Sequence, residues 1–109
     1  MVYSESLASR IRQVLKGHRG ITEKKMFGGI GFLLHGNMCV GVSQTSLIVR
    51  LGPQQADAAR KQPNVVEFDV AGRPLKGWVM IEPEGIETDE QLTEWIQQAV
   101  EFVETLPRK

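Results

Sequence analysis

Cysteine and histidine are scarce in this sequence. Cys39 stands alone among 109 residues, which excludes an intramolecular disulfide and a thiolate metal cluster, so an oxidising compartment is not indicated. The two histidines, His18 and His35, form no ligand-spaced pair, and neither a metal nor any other cofactor is expected. No run approaches the roughly 18 apolar residues of a membrane span. The segment Met1-Val2-Tyr3-Ser4-Glu5-Ser6 lacks the basic start and apolar run of a secretory signal. A soluble, cytoplasmic protein without membrane contact is the expectation. There is also no excess of charge, since 13 Lys/Arg balance 13 Asp/Glu.

That balance hides an asymmetry. Residues 1–50 carry seven Lys/Arg against two Asp/Glu, and residues 51–109 carry six against eleven. A basic half can mark a nucleic-acid face, but these cations lack the density and interleaved aromatics of such a footprint. Direct nucleic-acid binding is therefore not the expected role. The plainer reading is two oppositely charged surfaces solvating their own elements.

What is present suits one α+β domain spanning 1–109. The chain is 41% apolar, and a chain of this size buries roughly two-thirds of its unfolded surface. Ser4 caps a predicted helix to about Lys16, with Leu7, Ile11, Val14 and Leu15 on one stripe. Ile21–Met26 reads as a charged edge strand. Residues 30–34 and 38–42 form a hairpin in which Gly36-Asn37 fits a type II′ turn, a register that lays Phe32 over Gly41. A strand at 47–51 follows, then a short helix from Pro53 to about Lys61. Residues 65–70 alternate, with Val66, Phe68 and Val70 inward, and Ala71-Gly72-Arg73-Pro74 turns into a strand at 77–81. Thr88-Asp89-Glu90-Gln91 is a capping box. The helix it opens carries Leu92, Trp95, Ile96, Ala99, Phe102, Val103 and Leu106 on one broad stripe and closes at Pro107.

The order α-β(3-4)-α-β(2)-α predicts two layers: a mainly antiparallel sheet with helices on one face. Strands 30–34, 38–42 and 77–81 are apolar at nearly every position. If helices cover one face, Leu33, Val40, Val42 and either Trp78/Met80 or Val79/Ile81 point to the other. An antiparallel sheet normally keeps a solvated face polar, so an apolar second face implies cover by a loop, a ligand or another subunit.

No constellation points to catalysis. Met26-Phe27-Gly28-Gly29-Ile30-Gly31 lacks the G-x-G-x-x-G and P-loop spacings, and a strand follows where a phosphate site needs a helix. It reads as a bulge or close backbone approach, with Met26 and Phe27 anchoring it in the core. Cys39 sits mid-strand, where a thiol behaves as a small hydrophobe. The acids Glu82, Glu84, Glu87, Asp89 and Glu90 suit the start of the last helix. Arg50, Arg73, Lys76 and Trp78 form the best candidate site, able to grip an anion or an acidic partner segment if they converge. Solvated hairpin charge paired with Glu67 or Asp69 is the alternative.

Several segments taken together resemble a known family. Met26-Phe27-Gly28-Gly29, Gly36-Asn37-Met38 with Gly41, Leu47-Ile48-Val49-Arg50 and Gly72-Arg73-Pro74-Leu75-Lys76-Gly77-Trp78 resemble, in order and spacing, the N-terminal domain of the TfoX/Sxy family. The resemblance covers essentially the whole chain. It implies an arrangement similar to secretion chaperones. It also implies kinship with bacterial regulators of natural competence, co-activators that act alongside the cAMP receptor protein. Two-domain members carry a further helical domain after this one, and a stand-alone domain is the expectation here. The resemblance offers no catalytic residues. The expected function is a non-enzymatic regulatory or adaptor domain acting by protein–protein contact, with homodimerisation one route and the partner unidentified. The alternative is a small-molecule or anion-binding domain using Arg50, Arg73, Lys76 and Trp78.

Overall fold

A computed structural model describes residues 3–26, 29–70 and 72–108. Among them are three α-helices and six strands. The helices are α1 (Glu5–Leu15), α2 (Pro53–Ala59) and α3 (Asp89–Glu104). The strands are β1 (Ile21–Met26), β2 (Gly29–Leu34), β3 (Asn37–Ser43), β4 (Ser46–Arg50), β5 (Val65–Val70) and β6 (Arg73–Ile81). They form one sheet in the order β1-β2-β3-β4-β6-β5, every neighbouring pair antiparallel. The two-layer α+β reading holds, and β1 lies at an edge, as its charged sequence predicts.

Both long helices start where side chains satisfy orphan backbone donors. Ser4 Oγ accepts from the Leu7 N–H at 3.1 Å. At α3, Thr88 Oγ1 accepts from the Gln91 N–H at 3.1 Å while Gln91 Oε1 accepts from the Thr88 N–H at 3.0 Å, a complete capping box. Asp89 and Glu90 in the first turn complement the helix dipole. Arg12 of α1 clasps the sheet edge, donating to Glu23 of β1 and to Glu5 at 2.8 Å each. The Arg12 hydrogen bond holds the Glu5 carboxyl below the usual carboxylate range.

One core joins Leu7, Ile11 and Leu15 of α1 and Leu92, Ile96 and Val103 of α3 to Phe32, Val40, Val42, Leu47, Val49, Val79 and Ile81 of the sheet. Ala56 and Ala59 of α2 belong to the same cluster. All three helices therefore cover the same face.

The β2–β3 turn differs from expectation. His35 and Gly36 are its central residues, both at positive φ (53° and 86°), the type I′ signature whose twist suits paired strands. Asn37 instead begins β3, where it is buried and donates Nδ2–H to the Pro107 carbonyl at 2.8 Å. Phe32 consequently pairs with Val40, and Gly41 lies opposite Gly31. The expected cover of Gly41 by Phe32 does not form; the Met38 methyl lies there instead, 2.9 Å from where a Gly41 Cβ would stand. The pairing slips by one residue between Phe32 and Leu33, leaving Cys39 as the extra residue of a bulge. Val40 and Val42 thus face the helices, contrary to expectation: moving the turn by one residue shifts the pairing by two and keeps the faces, but the extra residue at Cys39 exchanges them for the rest of β3.

β6 starts four residues before the expected Gly77, and Gly77 takes φ +86° in mid-strand. The β5–β6 register shifts there. Val65 enters the core opposite Ile81, whereas Val66, expected inward, pairs with Met80 and is 38% exposed. The expected core anchors Met26 and Phe27 involve side chains outside the described residues, as does the inward placement of Val70.

Candidate partner-binding face

The register reads the second sheet face directly. Lys24, Gly31, Gly41, Ile48, Met80 and Val66 lie opposite one another in turn across the six strands. A parallel row runs from Thr22 to Leu33 and Met38, then to Arg50 and Trp78, ending at Phe68. Next come the small residues Gly29, Ser43 and Ser46. Among the described residues no helix covers these rows. Ile48 and Phe68 are nevertheless buried outside the main core, Phe68 tilted against Trp78 with ring centroids 6.0 Å apart. Leu33, Met38, Trp78 and Met80 are half-buried and Val66 is exposed. The face is apolar at its centre, and among the described residues of these rows Lys24 and Arg50 carry charge.

Arg50 closes β4 directly opposite Trp78. Its guanidinium carbon lies 5.3 Å from the Trp78 ring centroid and 6.0 Å from that of Phe102 on α3. Two such contacts hold the cation by ring electrostatics, each worth about 0.5–2 kcal/mol depending on desolvation. The chain turn makes this arrangement possible. Gly52, at φ +88°, leaves room for the Phe102 ring, whose Cε1 would stand 2.6 Å from a Cβ at that position. Arg50 also donates a long hydrogen bond of 3.5 Å to the Met38 carbonyl. Among the described residues no carboxylate pairs with it.

The remaining residues of the sequence-derived set lie elsewhere. Lys76 lines a cleft of about 360 Å³ between α2 and the β5–β6 hairpin, with Glu67, Arg60 and Asp57 also on its wall. Arg60 is ion-paired to Asp57 there. Arg73 is exposed and pairs with Val70 beside the turn. Arg50 and Trp78 are thus in contact, and Lys76 lines a cleft to which neither contributes. Phe102 escaped sequence reasoning because its stripe position on α3 marks it as core; Met38, Ile48 and Val66 escaped because only register assigns them to a face.

The family model of the TfoX N-terminal domain matches residues 13–103. The chain belongs to that family. The match takes in all six strands and nearly all of α3. No curated protein and no solved structure matched the chain. Membership in the TfoX N-terminal domain family supports a regulatory or competence-related domain, and it is not a family of known enzymes.

In this TfoX N-terminal domain packing holds His35 and Cys39. The His35 ring lies over Gly20, its Nδ1 2.4 Å from where a Cβ would stand, and the His35 N–H donates to the Gly20 carbonyl at 2.9 Å. His18 is exposed after α1. Cys39 is fully buried, and burial pushes its thiol up to about 12. A thiol with a raised pKa stabilises the fold fully below its unfolded value of 9.0, and that contribution is lost as pH rises toward 12. Iodoacetamide at about pH 8 is expected to leave native Cys39 unmodified and to alkylate it in denaturing guanidinium. Alkylation of the native chain at the rate of an exposed thiol would contradict this burial. The described residues include no cluster of His, Cys, Asp or Glu able to hold a metal ion, and Asp89 is paired with Arg10 at 3.4 Å. No helix is long and apolar enough to cross a membrane.

Proposed function

We propose that this TfoX N-terminal domain is a non-enzymatic adaptor of a regulatory assembly, acting by protein–protein contact through its helix-free sheet face. One observation carries the reading. Leu33, Met38, Ile48, Trp78, Met80 and Val66 form an apolar surface with no helix over it among the described residues. Antiparallel sheets that meet water on one face ordinarily alternate to polar residues there. A Trp and an Arg stacked at the rim of such a surface are the residue types that dominate binding energy at interfaces. The alternative, a small-molecule or anion site, needs Arg50, Arg73, Lys76 and Trp78 around one pocket. Its support is weaker, because Lys76 lines a cleft to which Arg50 and Trp78 do not contribute.

Photo-crosslinking in cells tests the adaptor reading. Benzoylphenylalanine in place of Val66 is expected to give discrete adducts that disappear when Met80→Glu is added. The same probe in place of Glu94, exposed on α3, is expected to give none. Equal adducts from both positions, or adducts indifferent to Met80→Glu in a chain that still folds, would overturn it.

A further inference from the structure

We infer that the helix-free face receives a partner protein segment carrying an acidic residue among large apolar ones, and not a second copy of this chain. The inference rests on the adaptor reading and adds the chemistry of the partner. The two apolar rows contain two ionisable residues, Lys24 and Arg50, and both are cationic. The nearby acids do not pair with it: Glu23 is bonded to Arg12, Glu67 lines the cleft beside α2, and Glu104 of α3, near enough to act on the Cys39 thiol, makes no ion pair with Arg50 among the described residues. Arg50 is the decisive group. It is half-buried, held between two rings, and its only described hydrogen bond is the long one to Met38. A guanidinium has five N–H donors, so most of them remain available to an incoming group.

Covering this face with a purely apolar surface would desolvate Arg50 without compensation, which is strongly unfavourable. A carboxylate arriving with the apolar residues removes that penalty, because Arg binds it through two parallel hydrogen bonds. The rings already restrict the side chain, so less freedom is lost on binding. Self-association through these rows offers Arg50 no carboxylate: their ionisable groups are Lys24 and another Arg50, like charges that disfavour the pairing, and the hydroxyls of Thr22, Ser43 and Ser46 carry no compensating charge. Two cations are also few for an anionic bilayer, where each contributes about 1 kcal/mol. Met38 and Met80 border the site with flexible thioethers that adapt to the shape of an apolar partner residue.

The test selects displayed random 16-residue peptides against the full chain. Enriched sequences are expected to combine Asp or Glu with large apolar residues. A synthetic peptide from that set is expected to lose about tenfold or more in affinity with Arg50→Met, the value of a charge-assisted hydrogen bond. Lys61→Gln, remote from the face, should leave binding within about twofold. Arg50→Glu paired with a peptide bearing Lys for its acid should restore binding. The chain is expected to sediment as a monomer, and vesicles of phosphatidylcholine and phosphatidylserine should not bind it. Acid-free peptides that still lose binding with Met80→Glu would overturn the acidic partner while leaving the adaptor face standing. Peptides indifferent to both Arg50→Met and Met80→Glu, or no enrichment at all, would overturn both. A dimer dissociated by Val66→Glu, or vesicle binding lost with Arg50→Met, would overturn the choice of occupant.

Discussion

Gly29→Ala is expected to destabilise the fold by about 3 kcal/mol or more, the upper end of what overpacking costs. A Cβ on Gly29 would stand 1.9 Å from the Val42 carbonyl oxygen and 3.0 Å from its carbon. Those atoms are backbone of the neighbouring strand and cannot swing aside as a side chain does. Relief requires β2 and β3 to part where Ile30 pairs with Val42, both buried in the core. Gly17→Ala is the matched control, because nothing lies within 4 Å of its added Cβ. It should be neutral or stabilising by up to about 1 kcal/mol through the unfolded chain. Urea unfolding of the two variants reads the contrast. A Gly29→Ala protein within about 1 kcal/mol of the parent would overturn the close approach of β2 and β3.

Phe32→Ala should cost about 3–5 kcal/mol, the range for deleting a buried aromatic ring. The ring is fully buried and joins the sheet to α1 and α3 in one cluster. At about 4–8 °C per kcal/mol for a chain near this size, the midpoint should fall by at least about 12 °C. Opposite Val40, the ring is core. A loss below about 2 kcal/mol would contradict its burial between the sheet and the helices.

Much of the architecture was legible in the sequence because its signals are local. The Thr88–Gln91 box and the stripe from Leu92 to Val103 define α3 without reference to anything distant. The Glu23, Lys24 and Lys25 charges of β1 mark an edge wherever it lies, since charge on an edge strand blocks further pairing. Asn37 shows where local signals fail. Gly36-Asn37 and His35-Gly36 are both acceptable turn pairs, and a bond from Asn37 to Pro107, 70 residues away, accompanies the second choice. The one-residue bulge at Cys39, which no local signal marks, then reassigned Val40 and Val42 to the helix side.

The candidate site was legible in the same partial way. Arg50 and Trp78 stood out as charge and ring at strand positions, but Phe102 joins them only because Gly52 lets α3 approach the end of β4. Arg73 and Lys76 stood out equally; Lys76 lines the cleft beside α2, and Arg73 is exposed next to the β5–β6 turn.

The sequence by itself determined the helices, the strands, the edge at β1 and the family, because caps, periodicity and motif order are properties of neighbouring residues. Only the tertiary structure decided which apolar residues face the helices and which face outward. A strand's side chains alternate with a period of two, so a single extra residue, Cys39 in the β2–β3 pairing, exchanges one face for the other.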